Sequence, residues 1–128
     1  MPRKKALVLT DHELRLMEVL WRRQRATVAD VVGALPPPPL AYSTVLTTMR
    51  TLEQKGYIDH EENGRAFVYR PIVAREQAAK SAMQHLLDRF FGNSPGALAV
   101  SLLDDGVLSD EDIAAIQRLI AKKRKGAR

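Results

Sequence analysis

LAYSTVLTTMRTLEQKGYIDHEENGRAFVYRP, residues 40–71, joins a helical pattern to a hairpin pattern. Its first half has the apolar spacing of a helix, yet Ser and Thr fill positions where an exposed helix face ordinarily carries Lys and Glu. Steps of about 100° per residue from Val45 gather Thr48, Met49 and Leu52 within roughly 60° of that origin, so these four form the buried stripe. Ser43, Thr47, Arg50 and Gln54 fall at roughly 140° to 200°, directly opposite, with Leu46 and Thr51 on the flanks. Gly56 closes the helix as a left-handed residue. The second half reads as two β-rich arms around Asn63-Gly64, a hairpin signal because both residues tolerate positive φ.

Upstream, LTDHELRLMEVLWRRQ, residues 9–24, offers Thr10 as a helix cap with Glu13 three residues on, then Leu14, Met17 and Trp21 at helical spacing. ATVADVVGAL repeats the device with Thr27 and Asp30, and Val28, Val31, Val32 and Leu35 make a short apolar stripe that stops at Pro36. The run Pro36 to Pro39 cannot be helical, since each ring removes an amide donor, and reads as a stiff connector. Helix, short helix, helix and hairpin, in that order within about 65 residues, is the layout of a winged helix-turn-helix.

Beyond the hairpin the helical pattern returns, with Ala78, Met83, Leu86, Leu87, Phe90 and Phe91 set among polar residues. Ser94 caps a further helix with Pro95 at its first position, and Ser109 caps a last one that is acidic in its first turn and basic in its last. These stripes hold more Leu, Ile and Phe than three helices need to coat a small domain, which points to a dimerisation surface. The expected fold class is therefore mainly α with a small β-hairpin wing: a winged helix-turn-helix over residues 1–72, then a helical dimerisation region with a basic tail over residues 73–128.

The 128 residues, 45% hydrophobic, suffice for a genuine core. There is no Cys, which removes disulfides, thiolate metal sites and cysteine nucleophiles and fits a reducing cytoplasm. Apolar runs fall far short of the ~20 residues a membrane span needs, and the basic start turns polar before a signal-peptide core forms. His12, His60 and His85 lack metal-ligand spacing, no phosphate-cradling Gly loop is present, and the paired carboxylates sit in turn and cap positions. An enzyme is not expected, nor a cofactor. The net charge of +5 is unevenly spread: residues 1–72 carry 11 basic against 8 acidic side chains, residues 73–121 carry 4 against 7, and the tail KKRKGAR carries 5 basic and no acid. A basic front favours a polyanion partner. The tail itself reads as disordered, with DNA contact and plain solubilisation equally open.

A helix that enters a major groove needs short side chains for close approach, hydroxyls for phosphates and base edges, an apolar group for thymine methyls, and Arg for guanine or phosphate. The third helix offers Ser43, Thr44, Leu46, Thr47, Arg50 and Thr51 for these roles, and Arg65 stands at the wing tip where it can meet the sugar-phosphate backbone. Arg70 reads as the wing's second cation, and Phe67 and Tyr69 as core. Two duller readings compete: an amphipathic helix with Thr tolerated outside, and a winged-helix ligand-sensing or protein-interaction module without operator specificity.

The block from residue 40 to 71 resembles the penicillinase-repressor (BlaI/MecI/CopY) family of winged-helix transcription repressors. LTDHELRLMEVLW is similar to that family's first helix with its Trp, ATVADVV to its second, and LSDEDIAAIQRLI to its last, so the likeness runs from Leu9 to about Lys122. The resemblance implies a homodimer joined through C-terminal helices, binding an inverted repeat of TACA/TGTA-like boxes on double-stranded DNA. It also implies release through a membrane-embedded sensor metalloprotease that cuts an Asn-Phe bond. Here that bond falls at Ser101-Leu102, and neither residue matches. The copper-responsive branch uses a Cys-rich tail, which this chain lacks.

Overall fold

The structure, a computed structural model, describes residues 8–126. The basic start that bears on signal-peptide character, residues 1–7, and the last two tail residues lie outside the described residues. Among the described residues, six helices and one hairpin follow the expected order: α1 (Asp11–Arg23), α2 (Val28–Ala34), α3 (Tyr42–Gln54), β1 (Ile58–Asn63), β2 (Ala66–Pro71), α4 (Arg75–Phe90), α5 (Pro95–Asp104) and α6 (Asp110–Gly126).

Local chemistry sets most of these boundaries. Thr10 and Glu13 cap α1 reciprocally, as Thr27 and Asp30 cap α2, each Thr hydroxyl accepting from the third amide while the acid accepts from the Thr amide. α3 ends in a Schellman turn: Gly56, at φ +87°, donates to the Glu53 carbonyl, and Tyr57 donates to that of Leu52. Leu52 and Tyr57 are both buried there, adding the apolar contact that seals such turns. Ser94 caps α5 through the Ala97 amide, and Ser109 and Asp112 cap α6.

The chain divides into two compact units within α4, after His85. In the first, Leu16, Met17, Leu20, Val31, Val45, Met49, Leu52, Ile58 and Tyr69 are almost wholly buried in one core. Tyr69 exchanges backbone hydrogen bonds of 3.0 and 2.8 Å with Ala26, so the link between α1 and α2 is pinned to the hairpin by a single antiparallel bridge. Trp21 donates its indole N–H to the Val73 carbonyl at 2.9 Å, and Arg75 stacks on the Trp21 ring while pairing with Glu18, which anchors the start of α4 to α1. That Arg75 guanidinium holds the Glu18 carboxyl below the usual range. In the second unit, α5 and α6 bury no residue at all, and Leu87 alone is buried among its described residues.

Several sequence expectations change. Leu14 is not part of the inward stripe of α1 but 42% exposed, because Glu13 takes the inward position. The Glu13 carboxylate can do so because it accepts from the Thr10 amide at 2.8 Å and from Lys55 Nζ at 2.7 Å. The hairpin pairs Asn63 with Ala66, which makes Gly64 and Arg65 the central turn residues in place of Asn63-Gly64. Gly64 carries the positive φ, +67°, in the pattern of a two-residue loop with Gly first. Phe67 is not core; it is 43% exposed, and Tyr69 alone fills the interior from that strand face. The tail is helical through Gly126, since Lys and Arg are good helix formers and suit the negative end of the helix dipole.

Candidate nucleic-acid interface

Ala41 holds the N-cap position of α3 and makes no side-chain cap, so Ser43 is left inside the first turn rather than used as the cap itself. Val45, Met49 and Leu52 are fully buried, and Thr48 is half-buried with its hydroxyl donating to the Thr44 carbonyl at 2.8 Å. The opposite face exposes Ser43, Thr47, Arg50 and Gln54. Thr44, Leu46 and Thr51 are half-buried at its edges. Thr51 donates back to the Thr47 carbonyl at 3.1 Å, which leaves its oxygen free only to accept. Ser43, Thr44, Thr47 and Thr48 border one shallow depression of about 270 Å³.

The single acid of α3, Glu53, is drawn away from this face. Its carboxylate accepts from His60 Nδ1 on β1 at 2.8 and 3.0 Å. His60 in turn stacks flat against Phe67, ring centroids 4.1 Å apart at 13°. The wing's charges are mostly paired internally: Arg70 reaches Asp59 at 2.7 Å and Glu61 at 3.6 Å, and Glu61 also takes Arg25. Arg70 therefore does not act as a free wing cation, and its hydrogen bond to Asp59 raises its pKa further. Arg65 at the tip is exposed and makes no ion pair among the described residues.

A second concavity, about 440 Å³, opens between the start of α2, α3 and the wing, with Tyr42, Leu46, Arg65 and Phe67 on its walls. Neither Tyr42 nor Phe67 stood out in the sequence as a surface residue. Ser101 and Leu102 sit within α5, in the other compact unit, and the Ser101 carbonyl accepts from the Asp105 amide at 3.0 Å. No group of three or more metal-ligating side chains stands together among the described residues. No helix among them is long and apolar enough to cross a membrane.

A family model described as penicillinase repressor matches residues 9–122 of this sequence, nearly its full length. The chain belongs to the penicillinase repressor family. That family is one of DNA-binding transcriptional repressors, and this is the class of the protein. The chain is 25% identical over 122 residues to the penicillinase repressor of Bacillus licheniformis, covering 94% of this chain and 95% of that one. It is 29% identical over 116 residues to an uncharacterized 16.5 kDa protein of the ptsI 3′ region in Latilactobacillus sakei, covering 90% and 80%. Among solved structures, the DNA binding domain of the repressor BlaI matches at 27% identity with a TM-score of 0.52, over 59% of this chain and 93% of that one. The N-terminal part of the chain thus has the winged-helix fold of that DNA binding domain.

Proposed function

We propose that this protein works in the cytoplasm as a homodimer, without a cofactor, on a palindromic operator with TACA/TGTA-like boxes. The reading rests on one observation: α3 turns Ser43, Thr47 and Arg50 outward together, with Thr44, Leu46 and Thr51 at the margins and its only acid held away by His60. Short hydroxyl side chains let the helix backbone approach a groove floor, Arg50 suits guanine or phosphate, and Leu46 suits a thymine methyl. Arg65, exposed at the wing tip and without an ion pair among the described residues, suits a flanking phosphate. In this proposal residues 1–72 bind DNA and residues 73–128 hold the dimer together. Support for the dimer comes from the apolar side chains that the second unit leaves uncovered, among them Phe90, Leu103, Ile116 and Leu119. Two copies of α3 in successive major grooves require half-sites about 34–36 Å apart.

A gel-shift series tests the reading, with a duplex carrying TACA and TGTA boxes as an inverted repeat set against a scrambled duplex. Preferential binding that survives competitor and weakens steeply with salt supports an operator-specific repressor. Equal binding to both duplexes, or none, removes it in favour of a module for ligand sensing or protein contacts. Release through a sensor metalloprotease at Ser101-Leu102 belongs to the same proposal, and the bond's place within α5 means that the helix must open before it can be cut. Mass spectrometry of the chain from derepressed cells decides it: fragments ending at Ser101 support cleavage, and an intact chain discards it.

A further inference from the structure

We infer that the cleft between α3 and the wing seats a deoxyribose of the DNA strand that separates major from minor groove, with Tyr42 and Phe67 as its walls and Arg65 on the adjoining phosphate. The inference deepens the operator reading and rests on it. A helix in the major groove and a hairpin tip at the adjacent backbone straddle one sugar-phosphate strand, so the space between them faces the sugars of that strand. The cleft's chemistry matches that occupant. Apart from Thr27 and Arg65 its walls are apolar and aromatic: Tyr42 is 56% and Phe67 43% exposed, and Ala66 and half-buried Leu46 line it with them. Among the described residues the one cation on it is Arg65, whereas Arg70 is neutralised by Asp59 and Glu61.

The exposed aromatic is also held in place. Phe67 stacks on His60, and the Glu53 carboxylate fixes His60 from α3, so the wing's ring is set against the recognition helix before DNA arrives. Such preorganisation removes the ordering cost that a free surface ring would carry on binding. A sugar face presents no donor or acceptor pattern that differs between bases, so this contact adds affinity without adding sequence choice. An apolar contact also releases no counterions, so it leaves the salt dependence unchanged.

Fluorescence anisotropy of the full chain, on the inverted-repeat and scrambled duplexes over a range of salt, tests the seat. Tyr42→Ala and Phe67→Ala are expected to weaken binding to both duplexes by roughly fivefold to tenfold, with an unchanged slope of log affinity against log salt. Tyr42→Phe should retain wild-type affinity, because the ring and not the hydroxyl makes the contact. Arg65→Ala should lower the salt slope by about 0.9. Unchanged binding by Tyr42→Ala overturns the inference, and so does a loss confined to the inverted repeat, which would make the cleft a base reader. Should Phe67→Ala loosen the wing by losing the His60 stack, Phe67→Leu together with the Tyr42 pair gives the answer. Equal wild-type affinity for the two duplexes refutes the operator reading instead, and the Tyr42 variants still report on the seat through the scrambled duplex.

Discussion

Thr47 and Arg50 stand one turn apart on the exposed face of α3, outside the buried core cluster, so their removal separates recognition from folding. Thr47→Ala and Arg50→Ala are each expected to cut the preference for the inverted-repeat duplex over random DNA by about 1 to 3 kcal/mol, while melting temperature stays near that of the wild type. Competition binding beside a thermal melt measures both. Preference left untouched by both changes would show that another face of the helix reads the bases. Leu46 calls for a different approach, because it also packs against the core and truncating it disturbs stability. The methyl can be deleted from the DNA instead. Replacing thymine by uracil at a contacted step should cost the wild type about 0.8 kcal/mol, the value of one buried methyl-sized group, and cost Leu46→Ala much less.

The elements themselves depend on polar contacts that join distant parts of the chain. Glu13 is 4% exposed, and Lys55, from the end of α3, supplies its only cation among the described residues. Lys55→Met should therefore lower stability by on the order of 3 kcal/mol in urea unfolding, since it strands a buried carboxylate. The α2 cap adds a pH dependence of definite sign. The Thr27 amide, followed by the Thr27 hydroxyl, holds the Asp30 carboxyl below its ordinary value of 3.8. The stabilisation is complete above that ordinary value and fades as pH falls through the lower folded-state value. Thermal melts across the acid range should show this loss, and Asp30→Asn should flatten it. Caps and helix ends were legible in the sequence because their signals span three or four residues: Thr10 with Glu13, Ser94 before Pro95, Gly56 after the last turn. The buried stripe of α3 was legible for the same reason. Leu14 was misread because a wheel that counts apolar side chains cannot register Glu13 neutralised from 42 positions away. The wing was only partly legible, since the exposure of Phe67 and the pairing of Arg70 depend on strand register, and placing Gly64 first in the turn shifts that register by two residues. The cleft at Tyr42 was therefore out of reach of the sequence.

For the whole molecule, the uncovered side chains of the second unit carry the most consequence. Phe90 is 68% and Leu119 56% exposed, and Ile116, Leu119 and Ile120 recur on α6 at helical spacing with no buried side chain beside them. A chain that leaves this stripe in water gains by covering it with a second copy, and stability should then rise with protein concentration as mass action requires. Sedimentation velocity should find a dimer for the wild type and a shift toward monomer for Ile116→Glu/Leu119→Glu. The same variant separates palindrome recognition from recognition by a single winged helix. In a dimer the second half-site is bound from an effective concentration set by the tether, which raises affinity by about 10² to 10⁴ without any new contact. Loss of the dimer should therefore lower affinity for the inverted repeat by a factor in that range, and leave affinity for a duplex with a single box almost unchanged. A variant that stays dimeric would move the interface off α6, and a monomeric variant with wild-type affinity for the inverted repeat would show that the two half-sites are bound independently.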